Sequence, residues 1–397
     1  MMPPRVTIVA DDLTGAMDVA GPFADHGLDT RAVASIEGCR RESLAGAEVV
    51  SINADTRHLP AEEAASRVRH ILRALVDGES EILIKKIDST LRGNVVAETL
   101  AMLEASGRRL AVVAPAFPAQ GRTVVQGVVH VRNIPLKDTN FARDALTPPP
   151  LDPLHVLFAR AAVDARVQQV GAGESLPALA AGSKQIYTVD AAADGDLRAT
   201  LRTLQGRFRA ALLVGSSGIA EVVADLHFER SVRRQPHPAV AGTLLFVVGS
   251  RAEQSAQQVA CLAEQEQAHV VPAPNGAADI DAAAAASSEL LVLKATPGTD
   301  GREGDSDEVA RGLAESVAGI LRRLRVAALV VTGGDTAIAV LRRLAQPTLN
   351  VMGNLLPGIP FSRIQAGGAS LWFVTKAGGF GAPETFVNIA RRLRSRE

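Results

Sequence analysis

The chain has little cysteine, no surplus of either charge and no long apolar run. Cys39 and Cys261 are its only thiols in 397 residues. They lie far apart and without metal-ligand spacing, which excludes a disulfide framework and a zinc site and fits a reducing compartment. Lys plus Arg number 42 against 43 Asp plus Glu, a formal net charge of -1. General attraction to nucleic acid or anionic lipid is therefore not expected, and the partner is a small molecule. No apolar stretch approaches the roughly 20 residues that cross a bilayer. Met1 to Pro4 lead straight into a short apolar segment ending at Asp11 and Asp12, unlike a signal or transit peptide. A cytoplasmic protein with no membrane partner is expected, and a homo-oligomer is left open. Three motifs are also missing: Gly-x-x-x-x-Gly-Lys-Ser/Thr, Gly-x-Gly-x-x-Gly after a strand, and His-Glu-x-x-His. Their absence argues against P-loop enzymes, dinucleotide dehydrogenases and zincins.

What is present is a repeated rhythm. Short β-branched or leucine-rich runs end in Gly, Ser, Thr or Asp and lead into segments of helical period, the pattern of buried parallel strands feeding helices. The fold class is α/β, and the length suits two domains, each with a mostly parallel sheet flanked by helices. Strands are predicted at 5–10, 30–34, 49–53, 82–86, 110–114, 185–189 and 211–214, then at 244–248, 290–294, 328–331 and 371–375. Helices are predicted at 61–76, 95–105, 154–167, 196–205, 252–265 and 337–344. The alanine-rich stretch 277–288 reads as helix, because Ala has the best helix propensity. Residues 296–307 read as a polar Gly-rich loop. A charged, proline-broken stretch around 230–238 has no apolar period and marks a linker. The expected division is 1–229, a linker at 230–241, and 242–397.

Ligands of open parallel sheets bind beyond the carboxyl ends of the strands, so the polar sequences there are the candidates. Asp11-Asp12-Leu13-Thr14-Gly15 puts two carboxylates at a strand end. They can orient or deprotonate a hydroxyl; equally, they can cap the helix that follows. Lys85-Lys86-Ile87-Asp88-Ser89-Thr90-Leu91-Arg92-Gly93 gathers cations, a carboxylate and hydroxyls suited to an anion. Pro115-Ala116-Phe117-Pro118 stiffens a loop that ends at Gly121-Arg122 and can aim that guanidinium at a carboxylate, or simply cross over. Gly215-Ser216-Ser217-Gly218 is a small-residue turn that can bring amides to an oxyanion. In the second half, Ser250-x-x-Glu253 reads as a capping box. Thr332-Gly333-Gly334-Asp335-Thr336 and Lys376-Ala377-Gly378-Gly379-Phe380-Gly381 are Gly-rich turns where a nucleotide can approach the backbone.

Taken in order, these motifs resemble the four-carbon acid sugar kinase family over almost the whole chain. The resemblance implies an N-terminal domain that binds a tetronate such as threonate, erythronate or 3-oxo-tetronate. It implies a C-terminal domain that binds ATP, an active site in the cleft between the domains, and a 4-phosphate product. The acid sugar would meet Asp11, Asp12, Lys86, Asp88, Ser89, Arg92, Gly93 and Arg122. ATP would meet Ser250, Gly333, Gly334, Asp335, Thr336, Lys376, Gly378 and Gly379. Within that reading Arg92 or Arg122, with Lys86, holds the substrate carboxylate, and Asp12 or Asp88 is the catalytic acid-base group. Mg²⁺ would arrive with ATP, with no dedicated protein metal site, as suits an ion that keeps its waters. Where the family commonly shows Asp-Pro-Leu-Thr-Pro-Met, this chain has Asp144-Ala145-Leu146-Thr147-Pro148-Pro149, a departure that bears on which acid sugar is used. The rival reading is a non-catalytic sugar-acid sensor, which would have little reason to keep the Gly-rich turns of the second half.

Overall fold

The computed structural model describes residues 3–37, 39–75, 80–144, 147–178, 182–230, 240–279, 281, 288–298, 304–366 and 368–395. The chain forms two compact units, one of residues 1–32 and 40–231, the other of 33–39 and 232–397. Residues 33–39 cluster with the second unit because the amides of Ala34 and Ser35 donate to the Pro347 carbonyl. The expected linker falls largely on 231–239, outside the described residues, as does most of the alanine-rich stretch.

The first unit runs β1 (Val6–Ala10), α1 (Leu13–Asp25), β2 (Thr30–Val33), β3 (Val49–Asn53), α2 (Ala61–Leu75), β4 (Ile82–Lys86), α3 (Val95–Ala105) and β5 (Leu110–Ala114). A small antiparallel sheet follows, of β6 (Arg122–Val125), β7 (Val128–Val131) and β8 (Ile134–Pro135). Then come α4 (Leu154–Ala161), β9 (Ala165–Val170), β10 (Lys184–Val189), α5 (Asp194–Arg202), β11 (Ala211–Gly215) and α6 (Ser217–His227). The main sheet has the order β2-β3-β1-β4-β11-β5-β10-β9. Strands β1, β3, β4, β5 and β11 are buried at every position, as apolar runs covered on both faces must be. Their register is what builds the site. Ala10 lies opposite both Asn53 and Lys86, and Gly215 opposite both Lys86 and Ala114, so five strand ends finish at one level. The loops after them open on one edge.

In the second unit the order is β12 (Thr243–Val248), α7 (Glu253–Glu266), β13 (His269–Pro274), β14 (Leu290–Thr296), α8 (Ser306–Leu321), β15 (Val326–Thr332), α9 (Gly334–Arg343), β16 (Thr348–Leu356), β17 (Ile359–Ala366), β18 (Ala369–Lys376) and α10 (Thr385–Arg394). The sheet runs β13-β14-β12-β15-β18-β17-β16, parallel as far as β18 and antiparallel after it. Val248 lies opposite Thr332, and Thr332 opposite Lys376, so three strand ends again coincide.

Two expectations are corrected. The helix predicted over 154–167 stops at Ala161, and 165–170 is the edge strand β9, whose exposure alternates along its length. An apolar-polar period of two had been absorbed into a helical one. The helix predicted from Ala252 begins at Glu253, and Ser250 does not form the capping box. Its Oγ accepts from the Ala252 amide instead, at 3.2 Å. Strand β13 escaped prediction because Pro272 and Pro274 interrupt it, which a strand tolerates only at an edge, where β13 lies.

Candidate functional site

At the edge of the first unit, Asp12 is indeed the N-cap of α1: its Oδ1 accepts from the Gly15 amide at 2.9 Å. Its Oδ2 accepts from Thr14 Oγ1 at 2.6 Å and from Arg57 Nη1 at 2.9 Å. Arg57 also donates from Nε to Asp11 Oδ2 at 2.7 Å and stands 3.8 Å from Asp88 Oδ1, so one guanidinium ties three carboxylates. Burial pushes the Asp12 and Asp88 carboxyls up, but the surrounding cations and hydrogen bonds outweigh it. Asp12 ends below the ordinary carboxylate range and Asp88 well below it.

Lys85 and Lys86 divide as neighbours on a strand must, one to each face. Lys85 is fully buried and paired with Glu98 at 2.9 Å. The Lys86 ammonium lies near enough to Asp12, Asp18 and Asp88 to draw all three carboxyls down. A Cβ at position 15 would sit 2.8 Å from it, so glycine is what lets the lysine lie against α1. Asp88 is saturated by its own turn. Arg92 grips it with Nε and Nη2, Thr90 donates to Oδ2 from both its amide and its hydroxyl, and Leu91 takes a positive φ of 61° to close the turn. Asp144 lies 3.6 Å from Arg92 Nη1. Gly93, with φ of 83°, lies against Arg57 and Asp11.

Arg122 is held by the proline loop as the sequence suggested: Phe117 and Arg122 exchange backbone hydrogen bonds. Its Nη1 donates to Gln120 O at 2.9 Å, its guanidinium lies 5.5 Å from the Phe141 ring, and its Nε is buried without a hydrogen-bond partner. Burial draws its pKa down against the pull of Asp88. The Gly215-to-Gly218 turn is chiefly a packing device, because side chains at those two glycines would strike the carbonyls of Ala114 and Ala116. Its Ser217, however, donates its hydroxyl to Asp18.

In the second unit the three predicted turns converge. A Cβ on Gly249 would overlap Thr336 Oγ1, one on Gly378 would overlap Ser250 Oγ, and Gly333, at φ of 101°, lies against Ser250. Gly379 faces open space. Ser255 and Gln258 on α7 fix the last turn by donating to Gly378 O, Phe380 O and Ala382 O. Lys376 is 1% exposed, and its Nζ donates to the carbonyls of Ala377, Gly378 and Phe380. Its ammonium is thus directed into the turn. Burial pushes its pKa down to about 7. Asp335 is exposed at the head of α9.

Residues 6–223 match a family described as a sugar-binding N-terminal domain and 245–386 one described as a nucleotide-binding C-terminal domain. A D-threonate kinase of Bordetella bronchiseptica is 34% identical over 99% of this chain and 98% of its own. One of Cupriavidus necator is 35% identical over 94% of each. The chain belongs to the four-carbon acid sugar kinase family. A D-erythronate kinase of Heliobacterium modesticaldum and a 3-oxo-tetronate kinase of Cupriavidus necator are each 28% identical to it. A solved structure from Salmonella typhimurium shares the fold, with a TM-score of 0.74 over 97% of this chain and 98% of that one at 23% identity.

This acid sugar kinase therefore gathers Asp11, Asp12, Lys86, Asp88, Arg92, Gly93 and Arg122 on one edge of its first unit. Ser250, Gly333, Thr336 and Gly378 meet at one edge of its second. Sequence reasoning missed Arg57 and Asp18. Arg57 had an available signal, since 54–59 follows β3 as the other motifs follow their strands. Asp18 had none, lying one turn inside a helix.

Proposed function

We propose that this kinase transfers the γ-phosphoryl group of MgATP to the 4-hydroxyl of D-threonate, giving the 4-phosphate and ADP. The observation that carries the reading is Arg122, a partly buried cation beside the Asp88–Arg92 pair whose Nε is unpartnered. A small acid has one permanent charge, and a guanidinium with a free donor in a desolvated site is the group that selects it. Arg122 receives the carboxylate, Lys86 and Ser89 meet the hydroxyls, and the Arg57–Asp11–Asp12–Asp88 network holds that surface in shape. The turns around Ser250, Gly333 to Thr336 and Gly378 to Gly379 receive the nucleotide on backbone amides, with Lys376 organising the last of them. Mg²⁺ enters with ATP as part of the co-substrate. Phosphoryl transfer asks chiefly for in-line positioning and charge neutralisation, which these two surfaces supply. Dependence on ATP favours a cytoplasmic setting.

Preference for threonate over its relatives rests on the names of the more similar kinases. The test is ADP release by the full chain with D-threonate, D-erythronate, 3-oxo-tetronate and threitol. D-threonate is expected to give the highest kcat/KM. A higher value for another tetronate would overturn the threonate assignment, and no release above the acceptor-free rate with any of them would overturn the reaction.

A further inference from the structure

Abstraction of the hydroxyl proton needs a carboxylate that is reachable and not already committed, and neither acid expected from the sequence meets that need. Both oxygens of Asp12 accept hydrogen bonds, and both oxygens of Asp88 are gripped by Arg92. Asp11 also leaves its Oδ1 without a partner, but it is 3% exposed and its Oδ2 is bound to the Arg57 guanidinium. Asp18 differs. It lies three residues after Gly15, on the same face of α1, where the missing Cβ leaves Lys86 Nζ against the helix. Its Oδ2 accepts from Ser217 at the head of α6, its Oδ1 is buried without a hydrogen-bond partner, and the residue as a whole is only half-buried.

We propose that Asp18 is the general base of the reaction, an inference that rests on the kinase reading above. The acceptor O–H bond breaks as its oxygen bonds to the γ-phosphorus. The bond from that phosphorus to the β–γ bridging oxygen breaks, its electron pair leaves on ADP, and the proton passes to the Asp18 carboxylate. Lys86, beside both Asp12 and Asp18, holds the hydroxyl oxygen while charge develops on it. Burial raises the Asp18 pKa to about 6, against the pull of Lys86 and the Ser217 hydrogen bond, which suits a base working near neutrality. The groups facing it are Lys86 on β4, Asp12 at the head of its own helix, and Ser217 and Glu221 on α6. Strands β1 and β3, also packed on α1, carry no ionisable side chain.

The test is single-turnover phosphoryl transfer by the full chain, followed against pH, with Asp18→Asn and Ser217→Ala. Asn keeps an oxygen for Ser217 to donate to, so Asp18→Asn should fold. It should lose ~10²–10⁴-fold in the transfer rate with KM values for both substrates within a few fold. The wild type should lose activity as pH falls through about 6, where the carboxylate protonates. Ser217→Ala removes a bond that favours the charged form, so this acid limb should move to higher pH. Asp18→Asn within threefold of wild type, or an acid limb that Ser217→Ala leaves in place, overturns the assignment alone. Absence of transfer to any tetronate by the wild type overturns it together with the kinase reading.

Discussion

Arg92 spends its guanidinium fork on Asp88, donating from Nε to Oδ2 at 3.0 Å and from Nη2 to Oδ1 at 2.9 Å. This is the bidentate geometry that a substrate carboxylate would otherwise claim. The two residues lie four apart on one turn, and each satisfies a charge that burial would make costly alone. On the proposed reading, recognition of the acid therefore falls to Arg122.

Arg122→Ala should cost ~2–4 kcal/mol in transition-state binding, about thirtyfold to a thousandfold in kcat/KM for the acid sugar. It should also erase the preference for threonate over threitol. Arg92→Ala should lower the melting temperature while the acid preference survives. Equal acid-to-alcohol ratios in Arg122→Ala and wild type would remove Arg122 from carboxylate recognition.

Arg57→Met should leave three buried carboxylates without their shared cation and cost ~3–5 kcal/mol of stability at pH 7. The pH dependence has a definite sign. Asp12 and Asp88 are depressed in the fold, so they stabilise the wild type above the ordinary carboxylate range and lose that effect as pH falls through their folded values. In the variant Arg57 no longer opposes burial, so those carboxyls are depressed less, Asp88 still being held by Arg92 and Lys86, and the variant has less stability to lose as pH falls through the carboxylate range. The gap in melting temperature between the two proteins should hold from pH 7 to pH 5 and narrow as pH falls further toward 3; a constant gap down to pH 3 would contradict the shared-cation account.

Lys376→Met should raise KM for ATP while KM for the acid sugar stays put, because the turn loses three donated bonds. A buried amine with a lowered pKa penalises the fold fully below about 7 and is relieved as pH climbs toward the ordinary lysine value. Wild-type stability relative to the variant should accordingly rise between pH 7 and pH 10. If the difference between them is flat across that range, the amine is not titrating in the fold.

Gly378→Ala places a methyl where Ser250 Oγ now lies, 2.2 Å from the ideal Cβ position. A folded variant with KM for ATP raised at least about tenfold is expected, the backbone no longer able to approach the phosphates. Calorimetry with ATP checks this, and unchanged affinity would separate the Ser250–Gly378 contact from nucleotide binding.

The strands and the turns that end them were legible in the sequence because their signals are local. A buried parallel strand needs a continuous apolar run, and a turn where a ligand meets backbone needs small residues next to it, so 82–86 and 110–114 were placed to the residue and the motifs after them in order. The edge strands β9 and β13 were not legible. Pro272 and Pro274 in β13 and the polar alternation of β9 are tolerated only because each lies at a sheet margin, which no local pattern records. The sequence by itself determined which residues stand at the strand ends. Only the tertiary structure decided which charge each one faces: Arg57 reaches Asp11 across 46 residues, and Ser217 reaches Asp18 across 199. A buried charge must find a partner, and that partner is chosen by how the elements stack in the fold, so adjacent lysines such as Lys85 and Lys86 end as an internal strut paired with Glu98 and a cation beside Asp12.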